Sequence, residues 1–202
     1  MNIKADFLDK LKQFEKKYLT LADLEKVLDR ERRSLRVLIY RLIKEGFLVR
    51  LSPGIYMLPD NRAYLDVIAN QIYYPSYLSF VSALSRYGII SQIPYSLTFA
   101  TLKKSKKMIL GGTEVVYSQV RPELYFGYKL EGGMNIAYPE KALLDQIYLA
   151  SLGKAIIDYE ELTLNGLNKQ RFKDYAKHFP KRIRKGVKEV RKRWGQIFVG
   201  IK

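Results

Sequence analysis

Five side chains suited to gripping a polyanion recur along one short stretch. They are Arg33, Arg36, Tyr40, Arg41 and Lys44, with Arg32 immediately ahead of them. Their spacing puts them on one side of a helix, and the guanidinium fork matches the major-groove edge of guanine. The opposite side of the same segment carries Leu35, Leu38, Ile39, Leu42 and Ile43, which predicts a buried stripe. A charged outer face is by itself also what any solvated helix shows, so the surrounding elements carry the decision.

Side chains for catalysis are sparse by comparison. His178 is the one histidine, placed between Lys177 and Phe179, and there is no cysteine. Histidine-based triads and thiolate metal sites are therefore not expected. No HExxH, Walker A or GxGxxG pattern occurs. Glu140, Lys141 and Asp145 share one predicted helix, where Lys141 and Asp145 at i,i+4 read as ordinary helix stabilisation. A metal-dependent nuclease would need Glu114 to converge with those three, and nothing in the spacing brings it there. The expectation is a protein that is not an enzyme, with no cofactor and no metal.

The elements around the cationic stretch predict how it is held. Ile3 to Tyr18 is amphipathic, Thr20 caps the short helix LADLEKVL, and Asp29 caps the basic helix that Gly46 closes. Phe47–Leu51 and Ile55–Leu58 read as strands joined through Ser52, Pro53 and Gly54. Helix, short helix, basic helix and hairpin, in that order, predict a winged helix-turn-helix over residues 1–60. In that geometry Arg33, Arg36 and Tyr40 enter the groove, with Arg32, Arg41 and Lys44 alongside. Arg50 and Ser52 on the wing, and Thr20 at a helix start, approach phosphates.

Residues 61–202 predict a mixed α/β region. Arg62–Tyr73 and Ser76–Tyr87 read as helices, followed by four strands: SLTFATL, KMIL, TEVVYS and ELYFGYKL. Pro139 opens the helix that Gly153 ends, and Asp158–Glu161 reads as a capping box opening another. The final stretch sets Ile183, Val187, Val190, Trp194 and Phe198 at helical spacing among many cations. Lys185, Lys188, Arg191 and Lys192 on its outer face can extend a DNA footprint, the favoured reading, or else lie on an anionic membrane or form a plain solvated surface.

The bulk numbers agree with this direction. Of 202 residues, 48% are hydrophobic, enough for a real core, and the net charge of +16 favours polyanionic partners. The N-terminus lacks a signal-peptide core and no apolar run spans a membrane, so a soluble, cytoplasmic protein is expected. The fold class expected is α+β.

Three stretches carry a family likeness: RLIKEGFLVRLSPGIYMLP, SYLSFVSALSRYGIISQIP and IAYPEKALLDQIYLAS. Together they resemble the AbiEi family of antitoxins and transcriptional regulators of type IV toxin–antitoxin (abortive infection) systems, over about residues 5–155. The position that the family usually writes as histidine is Tyr87 here. The resemblance implies a winged helix that represses its own operon and a C-terminal antitoxin domain. It also implies a nucleotidyltransferase-like toxin as functional partner, opposed without an obligatory stable complex. One recognition helix per chain means that an inverted-repeat operator in double-stranded DNA takes two protomers. The alternative is an antitoxin that binds the toxin directly and has only non-specific DNA affinity.

Overall fold

A computed structural model of the chain describes residue 10, residues 16–29 and residues 32–199. It divides into two compact units, one of Met1–Ala69 with Ile109–Thr113 and one of Asn70–Met108 with Glu114–Lys202. The predicted helix at Ile3–Tyr18 lies almost wholly outside the described residues.

In the first unit β1 (Leu19–Thr20) leads straight into α1 (Leu21–Leu28). Thr20 and Asp23 form a reciprocal capping box: the Asp23 N–H donates to the Thr20 hydroxyl, and the Thr20 N–H donates to the Asp23 carboxylate at 2.9 Å. Asp29 differs from expectation. It is the left-handed C-cap of α1, with φ 46°, and α2 (Arg32–Lys44) starts three residues later. An aspartate tolerates that conformation because its short polar side chain bonds locally. Leu35, Ile39 and Leu42 of α2 are buried in one cluster with Leu19, Leu24, Leu48 and Tyr56. Gly46, at φ +79°, ends the helix as foreseen. Its N–H donates to Ile43 and that of Phe47 to Leu42, the paired bonds of a Schellman motif. β2 (Val49–Ser52) and β3 (Ile55–Met57) follow. The three strands form an antiparallel sheet in the order β1-β3-β2, with an irregularity between Arg50 and Ser52.

After a 3-10 turn at Pro59–Tyr64, α3 covers Leu65–Ile72, so the helix predicted from Arg62 begins late. The second unit is built on a six-stranded mixed sheet ordered β6-β7-β5-β4-β9-β8. Its strands are β4 (Ser76–Leu78), β5 (Ser96–Thr101), β6 (Lys106–Leu110), β7 (Thr113–Gln119), β8 (Tyr128–Glu131) and β9 (Met134–Ala137). Four helices accompany the sheet: α4 (Phe80–Arg86), α5 (Pro139–Ser151), α6 (Lys169–Ala176) and α7 (Arg184–Val199). Every residue of α5 from Glu140 to Leu149 is buried, which is how a helix at the centre of a unit must sit.

Three expectations are corrected here. The single helix predicted over Ser76–Tyr87 is a strand followed by a helix. Pairing of β4 with β5 on one side and β9 on the other overrides its helical spacing. ELYFGYKL is not one strand, because Gly127 at φ +71° separates a 3-10 turn (Pro122–Leu124) from β8. Asp158–Glu161 opens no helix; the Glu160 N–H donates to the Asp158 carboxylate in a local turn.

Candidate nucleic-acid interface

The buried stripe of α2 fixes the orientation of its other face. With Leu35, Ile39 and Leu42 almost fully covered, Arg33, Arg36, Tyr40, Arg41 and Lys44 point to solvent, and Tyr40 is 67% exposed. None of the four cations makes an ion pair with a described residue. A guanidinium left unpaired beside an exposed tyrosine is free to meet a base edge or a phosphate. Arg32 starts the helix, but its side chain lies outside the described residues.

The hairpin that follows brings two further expected residues to the same unit. Arg50 is exposed on β2, and Ser52 is half-buried at the end of that strand. Thr20 is differently employed. Its hydroxyl donates to the Asp23 carboxylate at 2.7 Å and accepts from the Asp23 N–H. Lys16 also donates to that carboxylate at 2.8 Å. A carboxylate already occupies this helix start, so the structure offers a phosphate little there. Lys185, Lys188, Arg191 and Lys192 are all exposed on α7, in the second unit, while Val187, Val190 and Trp194 of the same helix, and Ile183 just before it, are buried.

Spacing foresaw the pairing of Lys141 with Asp145 but not the buried polar cluster in which it sits. Lys141 and Asp145 form an ion pair with both side chains wholly inaccessible. The Lys141 ammonium also donates to the Tyr77 hydroxyl at 2.8 Å. Tyr77 and Ser79 in turn donate to the Asp145 carboxylate at 3.0 and 2.8 Å. Rings of Tyr77, Phe126 and Phe179 surround the ammonium at 5.1–5.2 Å. Burial pulls the lysine down from its ordinary range, against the charge of Asp145. Burial likewise pushes the aspartate up, against Lys141, Ser79 and Tyr77. The i,i+4 pair that read as ordinary helix stabilisation is therefore formed, and lies buried within the second unit. The depth of α5, invisible from one helix's pattern, makes the difference.

The remaining acids have separate occupations. Glu140 accepts the Asn168 N–H at 2.6 Å and pairs with Arg171, while Glu114 faces Lys107 at 3.9 Å. Among the described residues no three His, Asp or Glu side chains gather to hold a metal ion. Tyr87, where the AbiEi-like pattern usually has histidine, donates its hydroxyl to the Ala137 carbonyl at 2.9 Å.

With the geometry in place, comparison places the architecture. The chain is similar to the crystal structure of the Rv2827c protein from Mycobacterium tuberculosis, with a TM-score of 0.62 at 15% identity. The alignment covers 91% of this chain and 74% of that one. The fold is α+β. No family model matches the chain, and no curated protein matches it.

Proposed function

We propose that this protein is a DNA-binding autorepressor and antitoxin of the AbiEi kind, opposing a nucleotidyltransferase-like toxin. Its first unit reads as a winged helix-turn-helix. α1 and α2 are the helix pair, β2 and β3 the wing, and β1 the short strand that closes the sheet. The observation that carries the reading is the outer face of α2. Arg33, Arg36, Arg41 and Lys44 surround exposed Tyr40 without an ion pair among the described residues, on a helix anchored by its opposite side.

In this reading Arg33, Arg36 and Tyr40 contact base edges, while Arg41, Lys44, Arg50 and Ser52 hold the backbone. Two protomers on an inverted repeat supply two recognition helices. An arginine bidentate to guanine contributes about 1–3 kcal/mol of discrimination. The AbiEi assignment itself rests on the three sequence stretches quoted above.

A gel shift on the DNA upstream of the protein's own gene, with scrambled competitor at near-physiological salt, tests this. Binding should survive competitor and fall by at least about tenfold in Arg33→Ala/Arg36→Ala. Binding erased equally by competitor, with the double variant unchanged, would remove the repressor reading. The direct-binding alternative has one observation in its favour. Ile93 and Tyr95 project from the second unit with 86% and 102% exposure, beside a cleft of about 760 Å³. It would take over if the toxin co-purified at a fixed ratio while operator discrimination was absent.

A further inference from the structure

Residues 169–195 carry twelve Lys or Arg against two acids, and the fold gathers half of those cations around one concavity. The cleft between α6 and α7 has a volume of about 820 Å³. Lys173 and Lys177 stand on the α6 side, Lys181 at the corner, and Arg184, Lys188 and Arg191 on the α7 side. Helical spacing explains the convergence: positions 173 and 177 share one face, as do 184, 188 and 191. Only Lys177 makes an ion pair with a described residue, at 2.6 Å to Asp174. The other acid of the segment, Glu189, lines a different cleft with Tyr159. Phe179, Ile183 and Val187 form a largely covered apolar floor, so the cleft is apolar at its base and cationic along its two rims.

The arrangement of the charges selects the ligand. From Arg184 to Arg191 the helix rises about 10 Å. Duplex DNA carries one charge per roughly 1.7 Å of axis, so about six charges would lie along that length, divided between two strands that run on past the cleft. The five unpaired cations stand on two facing rims and converge on one volume instead of tracking a line, which suits the compact, closely spaced anionic oxygens of a linear triphosphate. We propose that the α6–α7 cleft is an oligophosphate site, taking inorganic tripolyphosphate or the triphosphate group of a nucleotide. It is independent of the DNA reading of α2. Lysine and arginine on facing rims close on successive phosphates from two sides, with the guanidinium groups of Arg184 and Arg191 able to chelate two oxygens each.

Calorimetric titration of the full chain with sodium tripolyphosphate, ATP and orthophosphate at near-physiological salt tests the site. Tripolyphosphate and ATP should saturate at one equivalent, and orthophosphate should bind at least about tenfold more weakly. ATP binding like tripolyphosphate means that phosphates alone are read; tighter ATP adds a nucleoside contact. Lys173→Glu/Arg184→Glu should weaken tripolyphosphate at least about tenfold. Lys185→Glu/Lys192→Glu makes the same change in net charge outside the cleft and should leave affinity within about twofold. All four side chains are exposed, so both variants keep the core; Lys188→Ala repeats the test without a charge reversal. Absence of saturation, or equal losses in the two variants, would overturn the proposal. So would a cleft variant whose only defect is weaker duplex DNA binding. Loss of operator binding in the α2 variant leaves this result untouched, so the two readings fail separately.

Discussion

Lys141 shows how much one buried charge depends on its partner. Its ammonium has no contact with solvent, and the Asp145 carboxylate, the Tyr77 hydroxyl and three aromatic rings surround it. Desolvating two ions is costly, and their attraction offsets that cost only while both are present. Lys141→Met should therefore destabilise the second unit by about 3–5 kcal/mol, because it strands an uncompensated carboxylate. Lys141→Met/Asp145→Asn should recover part of that loss, since the neutral amide it introduces can still accept from Ser79 and Tyr77. Urea midpoints for the three proteins decide it. A double variant no more stable than the single one would show that packing, not charge, sets the cost.

At the scale of elements, the two glycines of α7 make opposite predictions from the same chemistry. Glycine in a helix interior costs about 1 kcal/mol relative to alanine. Gly195 is exposed, and a Cβ there would meet nothing within 4 Å, so Gly195→Ala should stabilise by up to that amount. At Gly186 a Cβ would collide with the Tyr159 hydroxyl and lie 2.5 Å from Ile147 of α5. Gly186→Ala should instead destabilise by about 1–3 kcal/mol, the range for an overpacked core. Thermal melts of the two variants should shift in opposite directions.

The start of α1 supplies a pH dependence. Burial raises the Asp23 carboxyl, but hydrogen bonds from Lys16 and Thr20 outweigh it and hold the group below the usual carboxylate range. The ionised form is the one the fold favours. Its stabilisation is present above the unfolded value near ~3.9 and is lost as pH falls through the folded one. The difference in urea midpoint between the protein and Asp23→Asn should accordingly be largest near neutrality and shrink in acid. A difference independent of pH would assign the cap to shape alone.

These elements also show what one sequence can reveal. Local rules located α1, α2 and α5, along with the glycine that ends α2, since capping, periodicity and left-handed φ act within a few residues. They misread Ser76–Leu78, whose strand exists because β5 and β9 flank it. β9 itself went unforeseen behind the Gly132–Gly133 turn, for the same reason. In the candidate interface the outward placement of Arg33, Arg36 and Tyr40 followed from the buried stripe. The engagement of Thr20 with Asp23 was equally local, since Asp23 lies three positions after Thr20 in the capping-box spacing. The α6–α7 cleft was not legible, because its two rims come from separate helices.

At the scale of the whole molecule, the net charge of +16 makes adhesion to any polyanion easy, so affinity alone says little about α2. No helix among the described residues is long and apolar enough to cross a membrane. The salt dependence of operator binding carries the discriminating information. Each phosphate neutralised adds about −0.9 to the slope of log affinity against log salt. If Arg41, Lys44 and Arg50 meet phosphates while Arg33 and Arg36 read bases, the slope per protomer lies near about −3, and near about −5 if all five also neutralise backbone charge. Lys185, Lys188, Arg191 and Lys192 on the same duplex would steepen it to about −6 or beyond. An oligophosphate cleft in the second unit needs no duplex, so the shallower slope is expected. Reversal of Lys185 and Lys192 should leave it unchanged. A slope that flattens by about 2 in that variant would instead assign α7 to the DNA footprint.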